Sequence, residues 1–427
     1  MKKFILIIIL IASGVLAYYF YIDTNSPVIN WNVEHGAYIN KGLTINIADD
    51  QGLSEICYSL SGAGCSAEER CLRDFTSASF DLAVDPENCV TNNEPFKMKI
   101  NVAATDTSLL PNQTVGSIEL TYDNQPPSLV TLRGTRYLKQ GGSGVVLYEV
   151  GEDPNDTGIV LGDLLFRSFR FSQNKYLSLY AHPYNVAADE FKPRIFAVDN
   201  AGNLRKIRPG STTASHSYKS EVIKLTDDFL ETVKNKIMAN SQKTPLNVFK
   251  EINDTVRQQN NQTIVELCQT SENRKLWDGV FLRNQGATRA NFAENRTYVY
   301  NSSIVSQQVH TGIDIAGVSK TPIVAANHGK VVFTGAIGIY GNVVVLDHGY
   351  GLHSLYGHLS QINVQVGDRV EKGEVMATSG ESGLAFGDHL HFEIRVNGVP
   401  VNPIEWIDRS WVKNKIEVFL PNNADTE

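Results

Sequence analysis

Between residues 25 and 124, apolar and polar side chains alternate in short runs such as "GLTINIADD", "FKMKINVAA" and "SIELTYDN", separated by Gly, Asn and Pro. Period-two alternation buries one face of a strand, so this stretch predicts a β-sandwich of short strands. "NQPPS" at 124–128 reads as a linker, and a second β-rich stretch over 128–212 contains "GVVLYEV", "LLFRSFRFS" and "RIFAVDNAGN". The pattern then changes. "LTDDFLETVKNKIMA" and "PLNVFKEINDTVRQQNNQTIVELCQ" carry apolar residues at helical spacing, with Thr226-Asp227 as a helix start, so 219–298 predicts a small helical segment. Strand-like runs return over 300–412, and 413–427 reads as a C-terminal tail. The expected fold is multidomain and mainly β.

The N-terminus breaks this texture. Lys2 and Lys3 precede "FILIIILIASGVLAYYFYI", an uncharged run from Phe4 to Ile22 that nearly reaches the ~20 residues of a transmembrane helix. The basic residues on its short side predict a cytoplasmic N-terminus, with the rest of the chain outside a single-pass inner-membrane anchor. Val15-Leu16-Ala17 also has the small-residue spacing of a signal-peptide cleavage site. Both readings of 1–22 export the chain to the cell envelope, and the "YYFYI" continuation, with its interfacial aromatic character, favours the retained anchor.

Composition and cysteine usage agree with export. A net charge of -8 with 20% charged residues provides no broad basic surface, which argues against nucleic acid as a partner. Cys57, Cys65, Cys71 and Cys89 lie close together while Cys268 stands alone. Four clustered cysteines in an exported chain predict two disulfides, with three pairings open; a zinc knuckle is disfavoured because no C-x-x-C pair occurs.

The candidate chemistry is at the C-terminal end. Seven of the ten histidines fall between 310 and 391. In "VHTGIDIAG", His310, Gly312 and Asp314 would face one way in an extended chain, and the absent side chain at 312 would leave room for an ion. In "GDHLHFEI", His389 and His391 would project from the same face of a strand. Two histidines and one carboxylate form a common catalytic zinc set. No H-E-x-x-H occurs, so the helical glutamate base of other zinc proteases is missing and further histidines would have to move the proton.

"HTGIDIAG", "TPIVAANHGKVV", "GIYGNVVVLDHGYGLHSLYGHLS", "VGDRVEKGEVMATSGESG" and "GDHLHFEIRVNGVPVNP" occur in an order that resembles the lysostaphin-type, or LytM-like, zinc endopeptidases of bacterial cell walls. The resemblance covers about 300–410 and implies a C-terminal antiparallel β domain. It places zinc ligands at His310, Asp314 and His391 and catalytic histidines at His358 and His389, with peptidoglycan peptide stems as substrate. It offers glycyl bridges or the D-alanyl to diaminopimelate cross-link; the latter is favoured because no C-terminal wall-binding module is recognisable. "AVDNAGN" resembles the end of a bacterial immunoglobulin-like module, so 25–124 and 128–212 read as two immunoglobulin-like spacers ahead of the peptidase.

Alternatives accompany this reading. Some LytM-like domains lack zinc ligands and only activate other wall hydrolases, but here all five positions are filled. "VGDRVEKGEVMATSG" also resembles half of a biotinyl or lipoyl carrier motif, although Lys372 lacks that motif's neighbours. His328 and His348 lie in turn-like contexts, His353 would face away from His358, and Tyr356 would share the face of His358, either lining the groove or packing in the core. "RANFAENRTYVY" reads first as a plain linker, although it lies close enough ahead of His310 for Asn291 or Glu294 to displace the metal-bound water and hold the enzyme latent.

Overall fold

Period-two alternation becomes strand wherever one face can be buried. In Phe96–Asp106, Met98, Ile100, Val102 and Ala104 point into a core and Lys97 and Lys99 point out. A computed structural model of the chain describes residues 23–62, 64–65, 68–89 and 94–421, and these are mainly β with a few helices. The anchor or signal peptide expected at 1–22 lies outside the described residues. Among the described residues no helix is long and apolar enough to cross a membrane. The chain divides into two compact units, 1–127 with 198–205 and 128–197 with 206–427.

In the first unit, a five-stranded sheet is centred on Phe96–Asp106 and a three-stranded sheet on Leu43–Ala48. Ile45, Ile47, Ile56, Ile100 and Leu120 from both sheets form one core. Two disulfides brace it. Cys57–Cys71 joins facing positions of adjacent strands, and Cys65–Cys89 closes the second loop. The clustered thiols are therefore consumed as disulfides, and the choice among the three pairings came from strand register.

In the second unit, an antiparallel sheet runs in the order Ala287–Ala290, Ile313–Ala316, Leu390–Val396, Leu352–Leu359, Gly341–Asp347, Gly329–Ile337, Arg369–Val370. Its middle is covered on both faces. Val344, Leu346, Tyr356 and Phe392 pack into a core that also contains Tyr148, Leu177 and Tyr180 from the second β-rich stretch. Val343, Val345 and Leu355 pack on the other face against Leu230, Val233, Phe249 and Ile264 of the helical segment. Double burial explains why "VVVL" at 343–346 is continuously apolar instead of alternating.

Thr226 caps the helix Asp227–Ile237 through its hydroxyl, which accepts from the Phe229 N–H. Thr244 and Pro245 open the next helical run at Pro245–Lys250, and helical turns continue to Leu267. The segment read as helical also contributes strands. Ser220–Lys224 lies parallel to Asn295–Tyr300, which pairs with Ser303–Val309. Residues read as a tail are partly anchored, since the Lys415 carbonyl accepts from Thr135 Oγ1 and the Phe419 carbonyl from Arg133 Nε.

Glu405 gives this unit a pH dependence. Its carboxylate accepts from the Ser143 N–H at 3.1 Å, and burial pushes the carboxyl up to about 7, against the opposing pull of Ser143, Lys139 and Lys415. The folded chain thus holds this proton more tightly than the unfolded chain. The associated stability is full below the ordinary carboxyl value of 4.5 and is lost as pH rises through about 7. Melting curves at pH 5 and pH 7.5 are expected to differ by up to roughly 2–3 kcal/mol from this group, and Glu405→Gln should flatten that difference.

Candidate functional site

His310 and Asp314 are close in sequence but are positioned by different sheets. His310 follows Ser303–Val309 of the three-stranded sheet, whereas Asp314 lies in Ile313–Ala316 of the large sheet. Register places Asp314 directly opposite His391, and Gly357 faces His391 from the other side. His310 Nε2, Asp314 Oδ1 and His391 Nδ1 converge, separated by 3.0 Å, 3.1 Å and 2.9 Å. The space created by Gly312 is used differently from the sequence expectation. A Cβ there would lie 2.5 Å from the Phe392 carbonyl and 3.0 Å from His391 Cε1, so the missing side chain admits the neighbouring strand and imidazole.

The remaining ring nitrogens are committed elsewhere. A carbonyl can only accept, so His310 Nδ1–H donates to the Asn291 carbonyl at 2.9 Å and Nε2 is left facing its partners. His391 Nε2 bonds Glu393 Oε1 at 2.9 Å, which leaves Nδ1 for the shared point. Burial alone would raise the Asp314 carboxyl, but His310 and His391 outweigh it and hold it well below the usual carboxylate range. Burial lowers His310, whereas at His391 the carboxylates of Asp314 and Glu393 overcome burial and raise the imidazole to about 9. Two imidazole nitrogens and one carboxylate oxygen, all buried and within 4.8 Å of one another, suit a metal ion that takes mixed N/O ligands.

His358 and His389 lie beside this group, their rings 4.7 Å apart. His358 terminates the regular part of Leu352–Leu359 with φ +62°, a left-handed conformation uncommon outside glycine. That reversal breaks the strict alternation. Tyr356 consequently stays in the core, with its hydroxyl bonded to the Ala326 N–H, while His358 faces the cleft. Burial, followed by His391 and His389, lowers His358 to about 3. His358 Nδ1–H donates to the Ser382 carbonyl and His389 Nδ1–H to the Gly387 carbonyl, so Nε2 is the nitrogen each ring keeps for the cleft. His389 precedes the strand Leu390–Val396, and its Nε2 is 3.8 Å from Asp314 Oδ1. All five expected site residues line one cleft of about 560 Å³.

The profile of peptidase family M23 matches residues 308–403. These residues form an M23 peptidase domain. The chain is 44% identical over 97 residues to a DD-carboxypeptidase/endopeptidase Mpg of Neisseria meningitidis, covering 23% of this chain and 22% of that protein. It is 40% identical over 96 residues to peptidoglycan DD-endopeptidase ShyA of Vibrio cholerae, covering 22% of each. It is also 38% identical over 103 residues to the murein hydrolase activator NlpD of Salmonella typhimurium, covering 24% of this chain and 27% of that one. The matches thus span about a quarter of these relatives or less.

Other histidines of the M23 domain do not join the cleft group. His348 is buried between the His328 carbonyl and Ser354 Oγ, and His353 is buried near Asp347 and bonds the Thr270 carbonyl. His328 Nδ1 accepts from the Lys372 N–H, so the carrier-like lysine stretch is a packed turn. Asn291 and Glu294 also differ from the latency expectation. The Asn291 carbonyl orients His310, and its side chain bonds Glu294, which pairs with Lys219 at 3.7 Å.

Two residues beside the group escaped the motif reading. Glu393 is fully buried and bonds both His391 and Arg395; it shares the face of His389 and His391, so period two was the available signal. Arg296 reaches within 3.5 Å of Asp314 Oδ2 from the neighbouring sheet, a contact with no local sequence signal.

Proposed function

We propose that this chain is a zinc-dependent endopeptidase that hydrolyses peptide cross-links of bacterial peptidoglycan. The observation carrying the proposal is the convergence of His310 Nε2, Asp314 Oδ1 and His391 Nδ1 beside two further imidazoles in one cleft. His310, Asp314 and His391 hold zinc in this reading, and zinc supplies Lewis acidity and lowers the pKa of water toward neutrality. His358 and His389 present acceptor nitrogens toward the cleft, where one takes the proton from water and the pair returns a proton to the departing amine. Their N–H bonds to Ser382 and Gly387 hold the rings in position for those transfers. Burial keeps His358 neutral and ready to accept.

The favoured bond is the D-alanyl to diaminopimelate cross-link, in keeping with similarity to two proteins named for DD-endopeptidase activity. The proposed setting is the outer face of the cytoplasmic membrane, with 1–22 as anchor and the modules at 25–124 and 128–212 ahead of the peptidase. The second reading, activation of another wall hydrolase, draws on similarity to NlpD. Digestion of purified peptidoglycan by the zinc-loaded chain, with products identified by mass spectrometry, separates them. Conversion of cross-linked dimers to monomers is expected, with glycan chains intact. Unchanged dimers would favour the activator, and release of stem peptides from muramic acid would indicate an amidase.

A further inference from the structure

Three carboxylates meet in the first unit at positions the peptidase chemistry does not use. Asp49 directly follows Leu43–Ala48 of one sheet, Asp106 ends Phe96–Asp106 of the other, and Asp23 lies in the segment entering the domain. One oxygen from each lies within 4.8 Å of the others. Among the described residues no basic side chain makes an ion pair with any of the three.

The decisive group is Asp49. It is only 7% exposed, and Oδ1 accepts from the Gln51 N–H at 2.9 Å, but the buried Oδ2 has no hydrogen-bond partner. Asp23 Oδ2 is likewise buried without a partner. Asp106 is different, because the loop beyond it supplies Ser108 and Asn112 as donors and fixes its carboxylate. Asn112 also donates to the Asp23 carbonyl at 3.2 Å, which holds the entering segment against this loop.

Buried unpartnered carboxylate oxygens are costly, and a hard cation removes that cost by direct coordination. The other group of metal-capable side chains in this unit, Glu55 with Cys57 and Cys71, cannot serve because both thiols form a disulfide. The donors around Asp49 are all oxygens, with no imidazole or free thiolate, which selects against zinc and for calcium. We propose that Asp23, Asp49 and Asp106 bind one calcium ion that fastens the entering segment to the ends of both sheets. Such a site would make the first unit's rigidity depend on calcium outside the cell membrane.

The test uses the full chain in detergent, zinc-loaded so that the peptidase site is occupied, and titrated with calcium chloride by calorimetry. One equivalent should bind with Kd of about 10⁻³ M or tighter, the range of extracellular modules. Asp49→Asn should weaken binding about tenfold or more. Melting should reverse in order: in chelator the Asp49→Asn chain should melt above wild type, since a buried charge has been neutralised, whereas in 5 mM calcium, about five times that Kd limit, wild type should melt higher. Absence of calcium heat, or an equal calcium response in wild type and Asp49→Asn, would overturn the site. Melting measured with calcium and with chelator keeps the result interpretable if the variant is less stable.

Discussion

Replacing His391 with alanine is expected to remove both the metal and the activity, while replacing His389 removes activity and leaves the metal bound. The two residues sit two positions apart, yet their surroundings differ. His391 is buried, faces Asp314 in register, and directs Nδ1 at the point where His310 and Asp314 also arrive. His389 lies just ahead of the strand, half-buried, with Nδ1 bonded to Gly387 and Nε2 open to the cleft. Loss of the ion should lower turnover of cross-linked dimers by at least about 10³-fold, since Lewis-acid stabilisation is worth several kcal/mol. Loss of one proton-transfer group should cost about 10²–10⁴-fold. Metal content by plasma emission spectroscopy, measured beside turnover, gives the separation. A His389→Ala chain that loses its zinc would refute this division of roles, as would wild-type activity that survives thorough chelation.

Glu393 is expected to be nearly as sensitive, although it does not touch the shared ligand point. Its Oε1 bonds His391 Nε2 at 2.9 Å and its Oε2 accepts from Arg395 Nε at 2.6 Å, with both partners and Glu393 buried. Burial opposes the charge, but Arg395 and His391 overcome it and hold this carboxyl far below the usual range. Glu393→Ala would strand the Arg395 guanidinium, 2% exposed, without its carboxylate, at a cost of about 3–5 kcal/mol in folding stability. Glu393→Gln preserves shape and can still accept from His391, while weakening the charge that fixes that ring. It should lower zinc affinity about 10–100-fold with a smaller loss of stability. Competition with a chelator reports the affinity and denaturant melts report the stability. Unchanged zinc affinity in Glu393→Gln would confine Glu393 to packing.

The strands were legible because alternation reports a sheet with one buried face, as in Met98, Ile100 and Val102. The helix start at Thr226 was legible because a cap is a local bond between neighbouring residues. "VVVL" at 343–346 carried no alternation because both sides of its sheet are covered. Glu393 was readable in principle as the third same-face position after His389 and His391. Tyr356 could not be separated from His358 by face, because the positive φ at His358 overrides period two. The disulfide pairing could not be chosen from spacing, because strand register brings Cys57 opposite Cys71.

A mainly β, multidomain chain, a cysteine-braced module and a C-terminal domain with the motifs of a wall peptidase could all be read from the residues alone. Those properties are written in local periodicity, composition and short motifs, which depend on residues a few positions apart. Which nitrogen of each imidazole faces the shared point follows from packing, because the Asn291 carbonyl and the Glu393 carboxylate occupy the other nitrogens. Packing also brings Arg296 to Asp314 and Asp49 to Asp106. These pairings join separate strands and sheets, whose register is set by collective burial and backbone bonding rather than by any one segment.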